Sequence, residues 1–355
     1  MSKKAIIAAG GTGGHIIPAL AIAEELRING YEILYIGNKN SMEENLARRT
    51  GINFAGIEVQ KLYRKFTFAH IKFPFKLLKS ISASKELITN FKPDIFIGTG
   101  GFVSGPAGFA AHQKKIPIFL LEQNSFPGVT TRILSRYASK VFLGSKSSKQ
   151  FLKKAKTSFS GNPINSDIIN ETEKLNLKEL GLREDSVKFF VSGGSQGSVI
   201  LNEAVYSLLN EILSENIEII WQIGKYSYSE YSKKLNGKRG VFFFDFSKEM
   251  GKIFNSVDFV LSRAGALSLA ETETKKIPSI IVPLPSAAGN HQFYNAMELK
   301  YKGVAEVIDQ KELRRLLKPA ILYMKDNHEA LSKKFVDSKH LHAAENIVKE
   351  IMEIV

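Results

Sequence analysis

The sequence predicts an α/β protein made of two doubly wound parallel-sheet domains, and three observations lead there. Short β-branched or aromatic runs alternate with helical stretches along the whole chain. At 355 residues the chain exceeds the size at which a single hydrophobic core keeps growing. The second half also repeats the syntax of the first. KKAIIAAGGTGGHIIPALAIAEEL and VKFFVSGGSQGSVILNEAVYSLL each read as strand, glycine turn and helix. YEILYIGN is answered by IEIIWQIGK, and the runs beginning PDIFIGTGG and VDFVLSRAG each lead through a helix to Lys-Lys-Ile-Pro and another strand.

The expected strands are Ala5–Ala9, Ile33–Ile36, Ile95–Ile97, Ile116–Leu121 and Val141–Leu143 in the first half. In the second half they are Lys188–Val191, Ile217–Gln222, Val241–Phe244, Phe259–Leu261 and Ser279–Val282, with helices after most of them. Gly161, Asn162 and Pro163 punctuate the junction, so the expected domains are residues 1–162 and 163–337. Residues 338–355 are expected to form a last helix that packs back on either domain. Two such Rossmann-like domains would turn the carboxyl ends of their strands toward a central cleft, which is where ligands of open α/β sheets bind.

Composition narrows the chemistry. There is no cysteine, which excludes disulfides, thiolate metal sites and cysteine nucleophiles. The apolar run Ala5–Ala9 behind Lys3 and Lys4 is too short for a secretory signal and ends in glycines, so it reads as a buried strand. No apolar stretch approaches the ~20 residues of a membrane-spanning helix. A net charge of +14 implies polyanionic partners, or else lysine drift in an A·T-rich genome. The basic residues are spread along the chain and no aromatic RNA-binding motif is present, which counts against nucleic acid.

Three glycine turns follow strands: Gly10-Gly11-Thr12-Gly13-Gly14, Gly98-Thr99-Gly100-Gly101 and Gly193-Gly194-Ser195-Gln196-Gly197. Glycines allow close approach of the backbone to a bulky anion, and the first amides of the following helix point at it. A dinucleotide fingerprint is not met, because Ile16 stands where the third glycine belongs and the second strand ends Ile36-Gly37-Asn38 without an acid. Gly144-Ser145-Lys146-Ser147 lacks the leading glycine of an ATP-binding loop. No paired-aspartate metal motif stands in the turns, so neither a metal nor a cofactor is expected.

The segments GGTGGHIIPALAIAEEL, GTGGFVSGPAG, LEQNSFPGVTTRIL, SGNPI, SGGSQGSVILN, SRAGALSLAE and HQFYNA, in that order, resemble the MurG family of peptidoglycan glycosyltransferases over essentially the whole chain. The resemblance implies a GT-B fold and an inverting transfer of N-acetylglucosamine from UDP-N-acetylglucosamine to the muramyl 4-hydroxyl of lipid I, giving lipid II. It implies a peripheral position on the cytoplasmic face of the bacterial membrane, against an anionic surface. An alternative is a UDP-sugar transferase of the same fold acting on another lipid or sugar; a nucleotide-sugar-binding protein without turnover is a third.

By motif, Thr12, Gly13, Gly14 and Asn124 would contact the donor, and Ser195 its phosphates. The backbone around Phe246 and Ser247 would hold the uracil, Ala266 and Leu267 would line the nucleotide, Glu271 would take the ribose hydroxyls and Gln292 the sugar. Gly100, Gly101 and Asn202 would serve the acceptor or the diphosphate. Three positions depart from the family pattern. Asn165 and Val199 stand where arginine is usual, and Phe102 where tyrosine is common, which shifts the expected phosphate neutralisation toward Arg263 and backbone amides.

An inverting transfer needs a base for the acceptor hydroxyl. His15, behind the first glycine turn, is one candidate and Glu122 is the rival; His15 could instead only hold an acceptor phosphate or cap its loop. His70, His112 and His328 read as surface or structural, and His291 borders the donor contact Gln292. The stretch 71–79 interleaves Phe73, Phe75, Leu77 and Leu78 with lysines, as an interfacial segment would, or as an ordinary amphipathic helix would.

Overall fold

The computed structural model describes residues 2–60 and 69–355, the side chains of 69–72 excepted. The chain divides into two compact units, residues 1–165 with 339–355, and residues 166–338.

In the first unit the strands are β1 Lys4–Ala8, β2 Glu32–Asn38, β3 Asn53–Ile57, β4 Ile95–Gly98, β5 Ile118–Glu122, β6 Lys140–Leu143 and β7 Thr157–Phe159. Among the described residues they form one parallel sheet in the order β3-β2-β1-β4-β5-β6-β7. The second unit contains β8 Val187–Ser192, β9 Ile217–Gln222, β10 Val241–Phe244, β11 Phe259–Ser262, β12 Ser279–Ile281 and β13 Ala305–Val307. Their order, β10-β9-β8-β11-β12-β13, repeats that of the first sheet, again all parallel. The sequence repeat is therefore a repeat of topology. In both sheets the chain reverses its direction of growth beside the first strand, between β1 and β4 and between β8 and β11, the switch points where crevices open in such folds.

Both faces of each sheet are covered, which is why the central strands read as unbroken apolar runs rather than alternating ones. In β1, Ala5 and Ile7 join one core with Ile22, Leu26 and Phe119, while Ile6 and Ala8 face the other with Phe96, Val103 and Val141. In the second unit Phe189, Val191 and Trp221 pack on one face and Phe190, Ile220 and Val260 on the other.

Residues 339–355 return to the first unit. The helix Ala343–Met352 places Ile347, Val348 and Ile351 in the core beside Ile22 and Leu26. Its Glu350 pairs with Lys140 Nζ at 2.5 Å and accepts from Ser158 Oγ at 2.8 Å. The two chain connections run side by side here. Gly161 has φ +80°, and a Cβ on it would meet the Lys339 backbone at 2.7 Å, so this close approach requires glycine. The Asn162 N–H donates to His340 Nδ1 at 2.7 Å, fastening the crossing.

All ten expected strands are present, with ends displaced by at most two residues, and three more were not anticipated: β3, β7 and β13. Each of the three lies at the edge of its sheet.

Candidate functional site

In the first unit two glycine turns are pressed together at the carboxyl edge. Gly101 (φ +78°) lies so close to the Gly10 carbonyl that no Cβ could be accommodated, and Gly100 (φ +102°) lies under the imidazole of His15, where a Cβ would meet Cδ2 at 2.8 Å. His15 sits in the first turn of the helix Gly13–Ile28, half-buried. The Thr99 hydroxyl donates to the His15 carbonyl at 2.8 Å, and Thr12 Oγ1 stands 3.5 Å from His15 Nδ1. Thr12 caps this helix without a side-chain bond, so the Gly13 and Gly14 amides lack intrahelical partners, as the first donors of any helix do. The outcome is an imidazole beside a cluster of helix-start amides.

A supporting layer lies beneath, which motif reading did not single out. Gln123 Nε2 donates to the Thr99 carbonyl at 2.6 Å, and Asn162 Nδ2 donates to the Gln123 carbonyl at 3.1 Å. Thr130 Oγ1 donates to the Gly101 carbonyl at 3.1 Å. Glu43 is buried under the first turn, its carboxylate accepting the Asn38 N–H at 3.1 Å and lying against Gly10 and Gly37. Thr99, Gln123, Thr130 and Asn162 lie inside the segments that carry the resemblance and Glu43 lies outside them; their role as a supporting layer emerges only when the sheet assembles and brings their partners to them.

Glu122 takes a different role from the one expected of a base. Its carboxylate is buried at 2% exposure, and it accepts from Asn124 N at 3.1 Å, Asn124 Nδ2 at 3.2 Å and Gly128 N at 3.0 Å. Its two oxygens close the loop after β5 through these three bonds. Asn124 is drawn to Glu122 by the same bonds. Asn165 is exposed at the end of the unit.

The second unit repeats the device. Gly197 and Gly224 face each other so closely that a Cβ on either would strike the other's backbone, and Gly193 is held against the Ser198 amide in the same way. Gly194 (φ +86°) and Gly197 (φ +81°) supply the left-handed conformations of this turn. Ser195 is exposed on it, ahead of the helix Val199–Ser207, whose exposed first residue, Val199, is one of the departures from the family pattern. Beside β11 the helix Ala266–Thr274 starts at Gly265 without a side-chain cap, leaving the Ala266 and Leu267 amides as outward donors.

Glu271 on that helix is half-buried, and among the described residues no hydrogen bond or ion pair satisfies it. Burial pushes its carboxyl from the ordinary 4.5 up to about 8. Gln292 accepts the Leu284 N–H on its Oε1 at 2.9 Å, which leaves its amide nitrogen as the end available to donate. Phe246 is 48% exposed, and its N–H is taken by Asp245 Oδ1 at 2.7 Å, so its carbonyl is the group left to meet a base. Ser247 Oγ accepts the Glu249 N–H at 3.0 Å.

Two of the expected residues are engaged in internal hydrogen bonds. Asn202 is fully buried: its Nδ2 donates to the Ile223 carbonyl at 3.0 Å and its Oδ1 accepts from the Trp221 indole at 3.0 Å. Arg263 is pinned as a clamp, donating to Ser198 Oγ at 2.9 Å, Gln310 Oε1 at 2.9 Å and the Val282 carbonyl at 3.2 Å. Its guanidinium fixes the start of the Val199–Ser207 helix through the Ser198 hydroxyl.

The segment expected at an interface lies on the helix Ala69–Phe91. Phe75 and Leu78 are 76% and 65% exposed, Phe73 and Leu77 are half-buried, and the side chains of His70, Ile71 and Lys72 lie outside the described residues. Among the described residues no helix is long and apolar enough to cross a membrane, and no three His, Asp or Glu side chains gather as metal ligands.

Residues 5–143 match the glycosyltransferase family 28 N-terminal domain and residues 189–351 its C-terminal domain. The chain is 36% identical, over 99% of its length and 98% of the relative's, to the UDP-N-acetylglucosamine–N-acetylmuramyl-(pentapeptide) pyrophosphoryl-undecaprenol N-acetylglucosamine transferase of Flavobacterium psychrophilum. It is 35% identical to the transferase of the same name from Bacillus subtilis, over 86% of each chain. Among solved structures it superposes on Acinetobacter baumannii MurG with a TM-score of 0.75 at 25% identity, covering 99% of both chains. The UDP-GlcNAc 2-epimerase of Neisseria meningitidis, bound to UDP-GlcNAc, shares the fold at a TM-score of 0.67 and 14% identity. With both domain models matched and relatives above one-third identity over nearly its full length, the chain belongs to glycosyltransferase family 28.

Proposed function

We propose that this chain transfers N-acetylglucosamine from UDP-N-acetylglucosamine to the muramyl 4-hydroxyl of lipid I with inversion, producing lipid II for peptidoglycan synthesis. The observation that carries this reading is the near full-length kinship with transferases of that name, joined to a glycine-turn site at the carboxyl edge of each sheet. The acceptor oxygen attacks C1 of the sugar as the bond from C1 to the phosphate oxygen breaks. UDP leaves with the electron pair, and the acceptor proton passes to His15. The helix-start amides near Ser195 and at Ala266 and Leu267 stabilise the departing diphosphate electrostatically. Gln292 donates its amide to the sugar, and the Phe246 carbonyl meets the uracil.

Glu271 receives the ribose hydroxyls, and its raised pKa makes that contact pH-dependent. Two vicinal O–H groups donate best to an ionised carboxylate, so the competent fraction of the free protein grows as pH rises through about 8. UDP affinity, followed by calorimetry, therefore rises up to about tenfold between pH 7 and pH 9 and is flat across that range in Glu271→Gln. The ligand-free stability runs the other way. The unfolded carboxyl ionises near 4.5 while the folded one holds its proton to about 8, so stability present at acid pH is lost between those values. Glu271→Gln, which does not titrate, gains in melting temperature over the parent across that window.

The first unit serves the acceptor and the membrane, with the enzyme held peripherally at the cytoplasmic face. Exposed Phe75 and Leu78 enter the interface, and replacing both with glutamate lowers vesicle binding by at least about tenfold in sedimentation, the loss expected for two apolar side chains. Unchanged sedimentation would remove this helix from the membrane surface. The decisive assay is turnover: labelled UDP-N-acetylglucosamine and a short-chain lipid I analogue give a disaccharide lipid. Product on a different acceptor alone would leave the fold and donor site standing and replace the acceptor.

A further inference from the structure

The helix that carries His15 has little of its own to hold its first turn. Gly13 and Gly14 open Gly13–Ile28, Thr12 gives no side-chain cap, and no acidic residue stands in the first turn. Glycine is among the poorest helix formers, and a start without a side-chain cap is weakened further. Pro18 has no N–H, so the bond that residue 18 would donate to the Gly14 carbonyl is missing as well. A catalytic group must be held to within about half an ångström, and here the hold has to come from outside the helix.

Thr99 supplies it twice. Its hydroxyl donates to the His15 carbonyl at 2.8 Å, and its own carbonyl belongs to the peptide leading into Gly100, the residue under the imidazole. Gln123 Nε2 holds that carbonyl at 2.6 Å. The next two carbonyls are held in the same manner, Gly100 by Ser104 Oγ at 2.7 Å and Gly101 by Thr130 Oγ1 at 3.1 Å. Because a peptide unit is planar, each of these bonds fixes a whole peptide of the turn beneath His15.

The bonds continue inward from Gln123. Its carbonyl accepts from Asn162 Nδ2 at 3.1 Å, and the Asn162 N–H donates to His340 Nδ1 at 2.7 Å. Thr99, Gln123 and Asn162 are at most 3% exposed. The four links span 84, 24, 39 and 178 residues of sequence, so they tie five distant points of the chain together. Asn162 Oδ1 is buried and has no hydrogen-bond partner among the described residues, so its side chain acts through Nδ2. Away from water such bonds are strengthened, and a missing partner is costly.

We propose that Thr99 and Gln123 are positioning residues for the base, backed by Asn162 and His340, and that this buried relay sets where the His15 imidazole stands. The proposal rests on the reading of His15 as the base and deepens it.

The test combines steady-state kinetics of the full chain on the lipid I analogue with the nitrogen-15 imidazole signal of His15, assigned by its loss in His15→Ala. Thr99→Val keeps the volume and removes the hydroxyl. It lowers kcat about 30-fold, within the range for a displacement near 1 Å, and leaves the KM for UDP-N-acetylglucosamine within about twofold. Thr99→Ser restores the donor and returns kcat to within about threefold of the parent. Gln123→Met lowers kcat about tenfold and Asn162→Ala, one link further back, about threefold. Combining Thr99→Val with Gln123→Met adds little, because links in series are lost only once. The His15 signal moves in these variants and stays in place in Gly51→Ala, a strained variant outside the relay.

Parental kcat in Thr99→Val, no recovery in Thr99→Ser, losses that multiply in the double variant, or an unmoved His15 signal would each overturn the relay. Gln123→Met carries the same comparison where Thr99→Val does not fold. His15→Ala separates the two readings. If it loses turnover while Thr99→Val and Gln123→Met keep parental kcat, the relay falls and the base stands. If it keeps parental kcat, the base falls, and a shifted His15 signal in the relay variants still shows what positions the imidazole.

Discussion

Replacing His15 with alanine lowers kcat by about 10²–10⁴-fold, the range for loss of a positioned base, and leaves donor affinity within about twofold. The imidazole is half-buried over Gly100, its backbone carbonyl is anchored by Thr99, and its side chain is the titratable group set among the Gly13 and Gly14 amides. The rival is weakened by the structure itself, since Glu122 is buried and gives its oxygens to three N–H donors. Steady-state kinetics with the acceptor analogue at saturation check the prediction, and the split between kcat and KM tells the two roles of His15 apart. A group that only held the acceptor phosphate would raise the acceptor KM and spare kcat; near-parental kcat in His15→Ala would end its role as base.

Gly101→Ala destabilises the protein by about 3 kcal/mol or more and abolishes turnover at temperatures where the parent is active. Two independent costs add at this position. The backbone has φ +78°, which an L side chain adopts with strain, and the new methyl would be driven into the Gly10 carbonyl. Relief requires the first two glycine turns to part, which displaces His15 from Gly100. Chemical denaturation gives the stability loss, and Gly51→Ala is the control: its φ is also positive, at +72°, but nothing lies within 4 Å of the added Cβ. Equal losses for the two variants would show that backbone strain alone, and not the contact between turns, sets the cost.

The legibility of the chain divides along physical lines. The ten anticipated strands include all the central ones, whose two buried faces impose long apolar runs such as Ala5–Ala8 and Ile118–Leu121. The three that escaped notice are edge strands, β3 interrupted by Gly56 and β7 and β13 of three residues each, which need little apolar character because one side has no neighbour. Within the site, the glycine turns were visible because their conformations tolerate few other residues. The supporting roles of Gln123, Thr99, Asn162 and Glu43 were not, because what a buried polar residue holds is recognisable only through the partner the fold brings to it.

The same distinction explains where Asn202 and Arg263 are held. Motif order placed Asn202 and Arg263 beside phosphates, while packing turned one onto Trp221 and the other onto Ser198, Gln310 and Val282. The sequence by itself determined the doubled α/β architecture, the three glycine turns and the family, because backbone conformation and two-sided burial restrict residue type locally. Only the tertiary structure decided which of the polar residues near those turns are free to act and which hold the turns in place, because that depends on hydrogen-bond partners distant in sequence.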